Sequence, residues 1–303
     1  MAQDVDAKAV SRSQDRSRGG MALLRSLVRG LGLLRESTIG MVGFGLVLFW
    51  ALVAIFAPLI SPLSPTATIQ PFAAPGTVTA AGDTLWLGAD QLGRDVLSRV
   101  IYGSRTVLFY APVATFCAYF IGCIFGLLAG YLGGWVDDLL NRISDIILAF
   151  PVLVLYVVII VLIGPSGLNI ILAVTFASAP GIMRIVRGLT LDLRNRDYIA
   201  AAQTSGASLP WILFVELLPN ARGPLIVDAC LRMGYVIITI GVLGFLGLGL
   251  PPPTPDWGSM VAESRAMITF APWMAVFPAI AISSLVLGFN LLADGLREIS
   301  LRD

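Results

Sequence analysis

The side chains able to do chemistry in this chain are few, and the absences decide most of what it cannot be. There is no histidine, and the single lysine is Lys8. Without histidine the commonest general base and metal ligand is missing, so neither a Ser–His dyad nor an HExxH zinc site can be assembled. Without a lysine in the body of the chain there is no phosphate-binding P-loop, so an ATPase site of its own is excluded. Cys117, Cys123 and Cys230 all lie in apolar runs. Their spacing fits no zinc site and their odd number fits no disulfide framework, so they read as small packing residues. Catalytic, cofactor-binding and metal-ligating residues are therefore all expected to be absent. What remains is a segment suited to mechanical work. Arg194 to Arg222, RNRDYIAAAQTSGASLPWILFVELLPNAR, is a polar island between two long apolar runs.

Local signals in that island predict two short helices and a tight turn. Asp197 is placed to cap the first, which continues through Tyr198 and the helix-favouring run Ala200, Ala201 and Ala202. Gly206 stops it as a residue free to take positive φ. Ser208 restarts the chain as an N-cap with Pro210 in the first turn, where no amide hydrogen is missed. The second helix, apolar from Trp211 to Val215, is predicted to end at Leu218-Pro219. Three alanines leave one face nearly flat, so another protein surface could approach the backbone closely.

The elements that must position this knob follow from composition. With 57% hydrophobic residues, 13% charged residues and a mean hydropathy of +0.86, the chain is an all-α integral membrane protein. A net charge of +1 gives no field that would attract nucleic acid. Residues 1–38 form a polar tail with a short amphipathic piece near Leu23 to Leu34. A first span over about 39–60 is an uncleaved anchor, followed by a mostly polar connection over 61–104, helical around Leu92 to Tyr102. Five further spans are predicted near 106–132, 146–164, 168–187, 224–250 and 273–293, making six. The core thus covers 105–294, with the knob over 194–222 and a tail over 295–303. Arginines accumulate on the side of the N-terminal tail, including Arg142, Arg184, Arg187, Arg194, Arg196, Arg222, Arg297 and Arg302. That side is expected to be cytoplasmic, which puts both termini and the knob there and 61–104 outside.

Within the spans Pro112, Pro151, Pro180 and Pro278 read either as kinks in a bundle that changes shape or as the ordinary prolines of membrane helices. Gly122, Gly126 and Gly130, and again Gly241, Gly244, Gly247 and Gly249, read as faces where helices pack closely. Asp228 and Arg232 stand four apart and are expected to pair, with a pathway role as the sharper alternative. Asp145 and Asp294 are expected within reach of interfacial water. Gly88 to Arg105 and Pro251 to Arg265 read as outer segments, either solvated loops or a contact for a partner.

The knob resembles the cytoplasmic EAA loop of permease subunits from bacterial ATP-driven importers, with Ala201, Ala202, Gly206, Leu218 and Pro219 in register. Two positions depart: Ala200 stands where that family has Glu, and Glu216 where it usually has an apolar residue or, in its peptide branch, often His. LWLGADQLGRDVLSRVIYGSR (Leu85 to Arg105), GLLAGYLGGWVDDLLNRISDIILAFP (Gly126 to Pro151), LGFLGLGLPPPTPDWGSMVAESR (Leu243 to Arg265) and FNLLADGLR (Phe289 to Arg297) look like the dipeptide, oligopeptide and nickel permease family. The added first span followed by APLISPLSP is similar to the C-type subunit of that family. The resemblance implies a type I importer permease fold in the bacterial inner membrane. It also implies a B-type permease partner, two cytoplasmic ATP-binding subunits and an extracytoplasmic solute-binding protein, with lipid around the bundle. Peptides are the first expected cargo, with nickel chelates or another small solute as the alternative. An intramembrane enzyme or a stand-alone channel is the competing class. The first lacks a dyad or metal set, and the second would have no use for the knob.

Overall fold

The computed structural model describes residues 37–300, so the amphipathic piece expected near Leu23 to Leu34 and most of the N-terminal tail lie outside the described residues. The elements run in chain order as α1 (Thr38–Ile60), β1 (Thr77–Val78), β2 (Thr84–Leu85), α2 (Val96–Leu132), α3 (Gly134–Leu148), α4 (Val152–Ile163), α5 (Gly167–Leu193) and α6 (Asp197–Thr204). They continue as α7 (Leu209–Phe245), α8 (Trp257–Ser264) and α9 (Trp273–Ser300). Among the described residues five helices, α1, α2, α5, α7 and α9, are long and apolar enough to cross a membrane, and the pair α3 and α4 is a sixth candidate if its two halves count as one span.

That pair corrects the expected continuous span over 146–164. The apolar run does continue, but α3 and α4 meet at an angle of 85°. The corner falls at Ala149-Phe150-Pro151, where Pro151 takes an extended ψ of 122° and opens α4. Proline also keeps the residue before it out of the helical region, so Phe150 cannot continue α3. With 12 residues, α4 reaches only ~18 Å at 1.5 Å per residue, short of a bilayer core.

The bundle is held where side chains are smallest. On α2, β-carbons placed on Gly122, Gly126 and Gly130 would stand 2.7, 2.6 and 2.6 Å from the side chains of Ile182, Val186 and Thr190 on α5. The two helices therefore touch backbone to side chain along three successive turns, the small-residue packing expected in lipid, where apolar burial alone drives little association. Gly43 of α1 meets the backbone of α9 at Gly288 to Leu292 in the same way.

The helix expected around Leu92 to Tyr102 within the 61–104 connection starts at Val96 and runs on without a break as α2, capped by the Asp95 carboxylate, which accepts from Ser98 N at 2.8 Å. The connection also carries β structure that an all-α reading omits. β1 and β2 pair antiparallel, with Thr77 opposite Leu85 and Val78 opposite Thr84. At the other end α9 runs through Ser300, so the expected tail over 295–303 begins inside a helix.

Trp257, at the start of α8, is fully buried and donates from Nε1 to the Val100 carbonyl at 2.9 Å. Its ring meets Trp50 of α1 edge-on at 4.9 Å, and Trp50 Nε1 donates to Ser284 Oγ of α9 at 2.9 Å. One indole pair thus fastens α8, α2, α1 and α9 together. Aromatic pairs of this kind add ~0.5–1.5 kcal/mol beyond their buried area.

Candidate functional site

The knob is built as a hairpin whose inner side is anchored and whose outer side is bare. Ile199, Ile212, Leu213 and Leu217 are buried against Ala118 and Leu127 of α2 and Ile182 and Val186 of α5. On the outer side Ala200, Ala201, Gly206, Trp211, Phe214, Val215 and Pro219 are exposed, Trp211 by 52%. Tyr198, Ala202 and Leu218 lie between, half-buried at the edge of the core.

The turn is a complete Schellman motif. Ala207 N donates to Ala202 O and Gly206 N to Gln203 O, both at 3.0 Å. Gly206 takes φ +74°, the left-handed region, with no atom within 4 Å of where its β-carbon would stand. Backbone conformation, not space, requires glycine there. Ser208 is extended at ψ 155° and its carbonyl accepts from Ile212 N, so it holds the N-cap position, with Pro210 in the first turn.

Two expectations are corrected. Asp197 does not cap α6: Arg196 occupies the cap position with φ −78° and ψ 150°, and no side chain caps the helix. Asp197 is instead the first helical residue, where its carboxylate still complements the positive end of the helix dipole. Nor does the second helix end at Pro219. It continues unbroken from Leu209 to Phe245 as α7. Ile212–Leu217 form a π turn, with Leu218 N donating to Leu213 O five residues back. A proline ring collides with the carbonyl four residues before it only in regular α geometry. The widened turn ahead of Pro219 removes that collision. Glu216, at the position that departs from the EAA pattern, accepts from Trp211 Nε1 at 3.2 Å, so the exposed indole is tied across the π turn.

Arginines brace the base of the hairpin. Arg194 Nη1 donates to the Gly130 carbonyl at 2.9 Å, Arg187 Nη2 meets Asp137 Oδ2 at 2.6 Å, and Arg184 pairs with Asp145. These contacts join α5 to α2 and α3, and sequence spacing carries no sign of them.

At the opposite end Asp90, Arg94, Arg99 and Glu263 form one ion cluster. Asp90 Oδ2 accepts from Arg94 Nε at 2.6 Å and from Arg99 Nη1 at 2.8 Å, while Glu263 Oε2 lies 2.7 Å from Arg94 Nη2 and 3.3 Å from Arg99 Nη2. Asp90, Arg94 and Arg99 are all buried. The two segments expected outside are therefore not solvated loops at this point but a paired core that ties the start of α2 to α8. Burial pushes the Asp256 and Glu263 carboxyls above the usual carboxylate range.

A family described as the inner membrane component of binding-protein-dependent transport systems matches residues 122–302, and the N-terminal transmembrane domain of oligopeptide transport permease C matches residues 33–75. The chain belongs to this family of permeases. It is 39% identical over 265 residues to the dipeptide transport system permease protein DppC of Alkalihalophilus pseudofirmus, covering 88% of this chain and 86% of the relative. It is 37% identical over 263 residues to the DppC protein of Haemophilus influenzae, with 85% and 88% covered. The glutathione transport system permease protein GsiD of Pectobacterium atrosepticum is 43% identical over 213 residues, with 70% and 71% covered. As a member of this permease family, with five apolar helices of spanning length and the bent pair, the chain is a multi-pass inner-membrane protein.

Proposed function

We propose that this permease is the C-type subunit of an ATP-driven peptide importer and forms one half of its translocation pathway. The relatives named for dipeptide transport support peptide cargo. A B-type permease would supply the other half, two cytoplasmic ATP-binding subunits the energy, and an extracytoplasmic solute-binding protein the peptide. In this reading the six spans are α1, α2, the bent pair α3 and α4, α5, α7 and α9. Both termini and the knob face the cytoplasm, in line with the arginines clustered there.

One observation carries the reading. The knob and the fifth of those spans are a single rod, Leu209–Phe245, ~55 Å long at 1.5 Å per residue. The bare side of the hairpin, with Asp197, Ala200 and Ala201 on α6, Gly206 in the turn and Pro219 on α7, edged by the half-buried Tyr198, Ala202 and Leu218, is a ready seat for an ATPase groove. Closure of the ATPases on ATP would push the hairpin, and the rod would deliver that push into the membrane because packed helices move as bodies. A cysteine at Ala201 should cross-link to the ATPase subunit in membrane vesicles, and purified chain should carry the ATPases with it. Cross-links to lipid-facing probes alone, or from outside the cell, would overturn the proposal.

A further inference from the structure

Within the spans a cavity of about 380 Å³ lies between α2, the α3–α4 corner, α5 and α7. Its polar lining comes from Thr115 on α2, Tyr156 on α4, Ser178 on α5, and Arg232, Tyr235 and Thr239 on α7. Arg232, Tyr235 and Thr239 follow one another at helical spacing, so they share a stripe of the rod. Arg232 lies ~35 Å along that rod from Leu209 at 1.5 Å per residue, well beyond the knob.

Arg232 is held by one edge only. Its Nε donates to Asp228 Oδ2 at 2.7 Å, and the same carboxylate oxygen accepts from the Tyr119 hydroxyl of α2. Nη1 and Nη2 reach across to α5, 3.4 and 3.5 Å from where a β-carbon of Gly181 would stand, and have no acceptor among the described residues. The guanidinium is neither sealed in protein, being 23% exposed, nor satisfied. Tyr235 beside it is 69% exposed. A charged side chain in a membrane span turns to a protein partner or a water-filled path and not to hydrocarbon, so this stripe of α7 is not a lipid face.

We propose that this cavity is a substrate contact on the translocation path, and that the Nη1–Nη2 edge of Arg232 takes the carboxylate of a passing peptide. This rests on the permease reading above. Two parallel N–H groups match a carboxylate in geometry as well as charge. Asp228 and Tyr119 are positioning residues: they hold Nε and leave the distal edge free. Because Asp228 already balances the charge, the contact is brief enough to release its cargo. The hydroxyls of Ser178, Tyr156 and Thr239 offer donors and acceptors for peptide amides along the same wall.

The test uses the complete importer in proteoliposomes. Cys117, Cys123 and Cys230 are replaced by alanine, Ser178→Cys is introduced, and its modification by an anionic and a cationic methanethiosulfonate is timed against free thiol. The anionic reagent should react several-fold faster at Ser178→Cys, and Arg232→Gln should remove the preference. Peptide uptake should fall about tenfold in Arg232→Gln, as for loss of a charge-assisted bidentate contact. Arg232→Lys, which keeps the charge without the fork, should restore the reagent preference while uptake stays low. Equal reagent rates, or uptake unchanged in Arg232→Gln and Arg232→Lys, would overturn the site. The Gly206→Val importer separates the two readings. If it loses uptake while Arg232→Gln does not, only the carboxylate site fails; if it too transports normally, the coupling role of the hairpin fails, and a wild-type assembly that takes up no peptide overturns the importer reading itself.

Discussion

The Trp257 indole lies across Gly103, its Cδ1 and Nε1 each 2.5 Å from where a β-carbon would stand. Any side chain at 103 must displace a fully buried ring that also donates to Val100 and touches Trp50. Gly103→Ala should therefore lower stability by ~1–3 kcal/mol, the usual cost of overpacking. Gly45→Ala, where nothing lies within 4 Å, should be neutral. Melting of the detergent-solubilised protein, followed by tryptophan fluorescence, checks the pair; equal melting temperatures would mean that the ring yields to a methyl group at no cost.

Gly206 is required for its φ of +74° and not for room. Asparagine tolerates that region better than other residues, whereas a β-branched side chain is a steric outlier there. Gly206→Asn should keep most peptide uptake, and Gly206→Val should lose about tenfold or more, for a turn strained by ~1–2 kcal/mol or beyond. Transport-coupled ATP hydrolysis, measured beside uptake, should fall with it. Equal loss in both variants would point to crowding against a partner instead.

Asp90 answers two buried guanidiniums with a single carboxylate oxygen. Asp90→Asn leaves Arg94 and Arg99 with Glu263 alone, and removing one member of a buried ionic group costs ~3–5 kcal/mol. Expression of Asp90→Asn should fall sharply and its melting temperature should drop more than for Glu263→Gln, whose side chain is 26% exposed. A smaller effect for Asp90 than for Glu263 would refute the assignment of Asp90 as the hub.

Asp256 gives a pH signature. Burial holds its carboxyl above the usual range, opposed by hydrogen bonds from Ser259. A group with a raised folded-state pKa contributes stability fully below its unfolded value, ~3.9, and loses that contribution as pH rises through the folded value. Asp256→Asn keeps an acceptor for Ser259 without the charge, so the melting temperature of the variant minus that of wild type should increase from acid toward neutral pH. A flat or falling difference across that range would contradict an upward shift of the Asp256 carboxyl.

Much of this architecture is legible in the sequence because apolar length and turn chemistry act locally. The glycines at 122, 126 and 130 announce a close helix face, and Gly206, Ser208 and Pro210 spell the turn at the knob. The misreadings have equally local causes. Hydropathy carries no direction, so an uninterrupted apolar run hides the corner at Pro151. A rule for proline that assumes α geometry ends a helix at Pro219 that a π turn lets through. One residue of phase moves the α6 cap from Asp197 to Arg196. Contacts such as Arg94 with Glu263, or Arg194 with the Gly130 carbonyl, join points far apart in the chain, and periodicity cannot encode such partners.

Because the backbone of α7 stays helical from Leu209 to Phe245, through the π turn as well, it would behave in the proposed importer as an oar and not as a chain of links. Whatever sweeps its blade at Trp211 must sweep its handle beside Gly247 in the same stroke, with the α2–α5 seam as the oarlock. In the proposed importer the two mouths of the passage would thereby be barred from acting independently, and the order in which they open would be fixed by leverage.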